Sequence, residues 1–86
     1  MTNGWRLYVT PPARRDLRRL DPPIRRRVLD ALDQLATDPN AARLVRLTGR
    51  PESRLRVGDW RVLLRLDHEE HVVIVIHIRP RGRAYD

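Results

Sequence analysis

The chain contains no cysteine and no lysine. Without cysteine there is neither a disulfide framework nor a thiolate metal site, and the composition suits a reducing compartment. Without lysine there is no ammonium that could be tuned into a proton carrier. All 18 basic residues are arginine, whose guanidinium stays protonated and offers a planar fork of five donors suited to bidentate phosphate contacts. Long apolar runs are missing as well. The longest, Val72 to Ile76, is far too short to cross a bilayer, and Met1 to Arg6 lack the apolar core of a signal peptide. No internal repeat or low-complexity linker interrupts the chain. These absences predict a soluble, cytoplasmic protein with no membrane partner.

With 86 residues there is room for one domain, spanning 1–86, and for one modest core. Hydrophobic residues make up 41% against 34% charged, enough apolar surface to fold rather than stay disordered. The formal net charge of +7 favours nucleic acid or an acidic partner through long-range attraction. A GC-rich genome also favours arginine codons, so the placement of the arginines has to carry the functional argument, not their number.

Trp5 to Thr10 alternates Trp5, Leu7 and Val9 against Arg6 and Tyr8 and predicts a first strand. Thr10-Pro11-Pro12 is a helix start, a hydroxyl cap followed by proline where no backbone donor is needed. Ala13, Leu17 and Leu20 then share one face of a short helix. Asp21-Pro22 repeats the start signal, and Ile24, Val28, Ala31, Leu32 and Leu35 form the stripe of a second helix that Asp38-Pro39 ends. The pair predicts a helical hairpin, with Arg25, Arg26 and Arg27 on a solvated face. Asn40 to Ser53 is expected to be a connection.

From Arg54 the period changes to two, and three strands are predicted around Leu55–Val57, Trp60–Leu66 and Val72–Ile78. Gly58-Asp59 suits a two-residue hairpin turn, which sets Val57 opposite Trp60, Arg56 opposite Arg61 and Leu55 opposite Val62. Facing arginines repel unless an anion neutralises them, so the arrangement suits a phosphate. One register that matches the apolar faces across the next hairpin places Leu64 opposite Ile74, Val62 opposite Ile76 and Arg61 opposite His77. His77 and Arg79 then join Arg54, Arg56, Arg61 and Arg65 on an open arginine face, with the helices covering the other. His68 and His71 fall in a loop with Glu69 and Glu70, at no spacing that matches a metal motif. The expected fold is α+β: a strand, a helical hairpin and three antiparallel strands in one sheet with helices on one face.

This order, together with Ala13-Arg14-Arg15-Asp16-Leu17, Arg54-Leu55-Arg56-Val57-Gly58-Asp59-Trp60-Arg61-Val62-Leu63 and Arg79-Pro80-Arg81-Gly82-Arg83-Ala84-Tyr85, resembles the RelE/ParE toxin superfamily. The middle segment is similar to that family's R-L-R-V-G-D-Y-R-V pattern, with Trp for Tyr. The resemblance implies a toxin of a type II toxin–antitoxin system, partnered by a cognate antitoxin with an acidic covering segment. RelE-like members cut messenger RNA on the ribosome, without metal or cofactor, whereas ParE-like members poison DNA gyrase. A third possibility is a degenerate toxin that retains only antitoxin binding.

The family's RNA-cleaving set falls on Arg61, on Arg79 or Arg81, and on Tyr85. Arg54 and Arg56 would position the RNA backbone, since phosphate contacts fix register without reading sequence. Tyr85 would serve as base or stack on a nucleobase, and His77 is the alternative proton carrier. Two departures from the pattern are that Pro80 stands where many relatives have His or Lys, and that lysine is missing altogether.

Overall fold

The computed structural model describes residues 4–40 and 43–80. In chain order the elements are β1 (Arg6–Val9), α1 (Pro11–Arg19), α2 (Pro22–Thr37), β2 (Leu44–Arg46), β3 (Glu52–Val57), β4 (Trp60–Asp67) and β5 (Val72–Pro80). Within the described residues the strands form one sheet in the order β1-β5-β4-β3-β2. β1 runs parallel to β5, which the two intervening helices allow, and the other neighbours are antiparallel.

Both helices lie on one face of the sheet and close a single core. From the helices come Ala13, Leu20, Val28, Leu32, Leu35 and Ala36, and from the strands Leu55, Val62, Leu64, Val73, Val75 and Ile78. Thr10 starts α1 as the sequence suggests: its hydroxyl accepts the Ala13 N–H at 3.4 Å and donates to the Val75 carbonyl at 2.8 Å. Asp21 holds the equivalent cap position of α2 without a side-chain cap bond.

Three sequence expectations need correcting. The connection Asn40 to Ser53 contains a strand, β2, too short for a three-residue alternation to stand out. It pairs with β3, Leu44 opposite Leu55, and forms an edge of the sheet. Arg25 is not simply solvated. Its Nε donates to the Leu17 carbonyl at 2.9 Å and its Nη2 to the Leu20 carbonyl at 2.9 Å, so a cation on α2 bonds two carbonyls at the negative end of α1.

The third correction concerns β5. Val73, Val75 and Ile78 are buried in the core, not Val72, Ile74 and Ile76. Five consecutive apolar residues carry no alternation, so the neighbours choose the face: Leu7 and Val9 of β1 pair with Val73 and Val75, and Leu66 and Leu64 of β4 pair with the same two. The pairing then slips between Leu63 and Leu64, where Leu63 meets His77 and Leu64 meets Val75. Ile76 is the extra residue of a β-bulge, and it returns Ile78 to the core.

Candidate nucleic-acid interface

The first hairpin forms in the expected register, with Val57 opposite Trp60, Arg56 opposite Arg61 and Leu55 opposite Val62. Gly58 makes the turn at φ +58, a left-handed conformation that side chains other than those of Gly, Asn and Asp rarely adopt. In the second hairpin the bulge changes the partners: Arg61 faces Arg79, not His77, Val62 faces Ile78, not Ile76, and Leu64 faces Val75, not Ile74. Directly paired residues project to the same side of a sheet, so Arg56, Arg61 and Arg79 form a row across three strands on the face opposite the helices. With strands about 4.8 Å apart, the three side chains spring from a span of roughly 10 Å.

The next row along the sheet is Val45, Arg54, Leu63 and His77. Val45, Arg54, Arg56 and Arg61 line a shallow cavity of about 140 Å³. The open face is therefore not made of arginine alone. Leu63, Ile74 and Ile76 are half-buried there, and Tyr8 and Val45 are 47% and 55% exposed. The apolar residues are a consequence of the β5 register: once Val73 and Val75 face the helices, Ile74 must face away.

Of the residues singled out in the sequence, Arg56, Arg61 and Arg79 share the row, and Arg54 and His77 share the adjoining one. Arg81 and Tyr85 lie outside the described residues. His77 sits at the border between the open face and α1. Its Nδ1 accepts from Arg79 Nη2 at 3.3 Å and lies 3.7 Å from Asp16 Oδ2. The same Asp16 oxygen accepts the Ile78 N–H at 3.0 Å.

Asp16 had no assigned role in the sequence, yet a signal was there. Ala13, Asp16, Leu17 and Leu20 follow the i, i+3, i+4, i+7 spacing of one helix face, and an acid inside an apolar stripe needs a partner. His68 and His71 are exposed turn residues, as the sequence suggests, and both also touch Trp5. The His71 ring stacks on the indole at 5.1 Å and His68 meets it edge-on at 5.1 Å. Among the described residues no three His, Asp or Glu side chains gather in a metal-holding group, and no helix is long and apolar enough to cross a membrane.

Fold and charge together define the class: a small, strongly basic two-layer α+β protein with a cationic row on the sheet face opposite the helices. A model of the ParE toxin of type II toxin–antitoxin systems matches residues 7–85. The chain belongs to that family, and it is a type II toxin of the RelE/ParE superfamily.

Solved structures agree in fold. The RelBE2 toxin–antitoxin complex of Mycobacterium tuberculosis contains a chain 28% identical, with a TM-score of 0.78 over 91% of this chain and 99% of that one. A chain of the archaeal RelE-RelB complex of Pyrococcus horikoshii is 26% identical, with a TM-score of 0.81 over 94% and 99%. A chain of the intact E. coli RelBE complex, at 24% identity, shares the fold with a TM-score of 0.72 over 92% and 99%. No curated protein sequence matches significantly.

Proposed function

We propose that this toxin is a ribosome-dependent endoribonuclease that cuts messenger RNA in the cytoplasm. The observation that carries the reading is the row Arg56–Arg61–Arg79 on the open face, with His77 beside it. The ribose 2′-oxygen attacks the adjacent phosphorus and gives up its proton to a base. The bond from phosphorus to the 5′-oxygen breaks, leaving a 2′,3′-cyclic phosphate. The 5′-oxygen takes a proton from water. Charge that develops on the phosphorane oxygens needs donors already in place, and Arg61 with Arg79 or Arg81 supplies them. Arg54 and Arg56 hold the flanking backbone. The base is His77 or Tyr85, because arginine stays protonated.

A second reading, inhibition of DNA gyrase without cleavage, is favoured by the ParE identity of the matching family model. Expression in a host without the cognate antitoxin, followed by mapping of messenger RNA ends and a gyrase supercoiling assay, separates the two. Cleavage with intact supercoiling selects the nuclease, and the converse selects the gyrase inhibitor. The partner is a cognate antitoxin whose acidic segment covers the arginine face. In support, the Mycobacterium and Pyrococcus structures are complexes of RelE-type toxins with antitoxins, and the net charge here is +7.

A further inference from the structure

β1 pairs with β5 only as far as Val75, so among the described residues that side of β5 has no strand neighbour from Ile76 onward. α1 takes the place of one. Asp16 Oδ2 receives the Ile78 N–H at 3.0 Å, and its side chain is only 13% exposed. The carboxylate is thereby pinned beside the edge and cannot swing into solvent without orphaning a backbone donor. Its other neighbour is His77 Nδ1, at 3.7 Å, a few tenths of an ångström beyond hydrogen-bond length. Arg79 Nη2, at 3.3 Å, occupies Nδ1 instead.

A guanidinium can only donate, so a neutral His77 held by Arg79 carries its proton on Nε2 and has no lone pair there to accept another. The groups around the ring are Asp16 from α1, Arg79 from β5, Leu63 directly opposite on β4 with Arg61 and Arg65 to either side, and Arg54 in the same row on β3.

Resting on the nuclease reading above, we propose that Asp16 is a positioning residue that sets the tautomer of His77 when a phosphate occupies the arginine row. A phosphate draws the Arg79 fork away from the ring, since a charge-assisted bond to an anion outcompetes one to a neutral imidazole. Nδ1, released, takes a proton through solvent exchange, keeps it, and donates a hydrogen bond to the waiting Asp16 carboxylate. Nε2 loses its proton in the same exchange and becomes the acceptor for the 2′-hydroxyl proton. Substrate binding itself thus switches the base on, and an empty site keeps it off. The arrangement has the logic of a carboxylate that holds an imidazole in one tautomer, here with a competing arginine added.

The decisive measurement is the ¹⁵N spectrum of His77 in the full-length chain, with and without saturating inorganic phosphate. Free protein should show the Nε2–H form and phosphate-bound protein the Nδ1–H form. Asp16→Asn keeps an oxygen for the Ile78 N–H, so its melting temperature should stay close to that of the unaltered chain. Phosphate should bind it equally well, by the shifts of the arginine resonances, yet His77 should remain Nε2–H. A tautomer that does not change on phosphate binding overturns the proposal, as does an Asp16→Asn chain that switches like the original.

On programmed ribosomes Asp16→Asn should lower kcat by about tenfold to a hundredfold with KM unchanged. A loss confined to KM counts against it. Lack of cleavage by the unaltered chain, with the tautomer switch intact, would sink the nuclease reading while leaving the Asp16–His77 relay standing.

Discussion

Arg61 stands in the middle of the cationic row, and its neighbours on both sides are arginines. Replacing it by alanine should abolish cleavage, because the position nearest the phosphorane loses its donors. The chain should still fold, since Arg61 springs from the face opposite the helices and is not part of the core. Thermal unfolding alongside primer extension on cleaved messenger RNA tests both halves, and an unfolded Arg61→Ala chain would show the residue to be structural.

Arg79→Lys and Arg81→Lys keep the charge and lose the fork. Whichever arginine clamps the phosphorane should lose most of its rate on that change, the other little. The proton carrier is tested by two substitutions: His77→Gln keeps hydrogen bonding without accepting a proton, and Tyr85→Phe keeps the ring without the hydroxyl. With His77 as base, the first should slow single-turnover cleavage more than the second. The opposite ranking transfers the proton to Tyr85.

Among the elements, α1 is the shorter helix and relies on borrowed contacts at both ends. Thr10 caps its start and ties it to β5, while Arg25 of α2 bonds its last carbonyls. Arg25→Met keeps the long stem and removes the donors, and should cost about 1.5–3 kcal/mol in urea unfolding, the range for bonds to a charged group. Cleavage by the remaining folded protein should be unaffected. Equal stability would mean that Arg25 is solvated like its neighbours Arg26 and Arg27.

The helices were legible in the sequence because proline starts and the 3.6-residue stripe leave little freedom. β2 was not, since three residues at an edge carry too little pattern. The face of β5 was not legible either, because its run from Val72 to Ile76 is apolar throughout and either parity buries apolar side chains. Its arginine and histidine were placed on the correct side only because the bulge at Ile76 shifts the parity again before His77.

For the whole molecule, the proposed binding to RNA should be strongly salt-dependent, because the +7 net charge rests on arginine alone for its positive part. Affinity for a single-stranded RNA should fall linearly with salt on logarithmic axes. Arg56→Ala should reduce the magnitude of that slope by about 0.7, the signature of one lost phosphate contact on a single strand. An unchanged slope would place the RNA on another surface. Expression without antitoxin should arrest growth, and co-expression of an acidic neighbouring gene product should relieve the arrest. Unimpeded growth at high expression would count against a toxin altogether.

The sequence alone determined the α+β class, the helical hairpin and the Gly58-Asp59 hairpin with Arg56 facing Arg61, since each follows from local rules: a cap, a periodicity, a turn that admits positive φ. It also pointed to the family through its motifs. Tertiary structure alone decided that Arg79, not His77, completes the row, that Asp16 reaches across from α1 to the edge of β5, and that an apolar stripe shares the open face. These depend on which strand lies beside β5 and where its pairing slips. That choice depends on the apolar partners that β1 and β4 offer β5 from either side, and no window of neighbouring residues contains it.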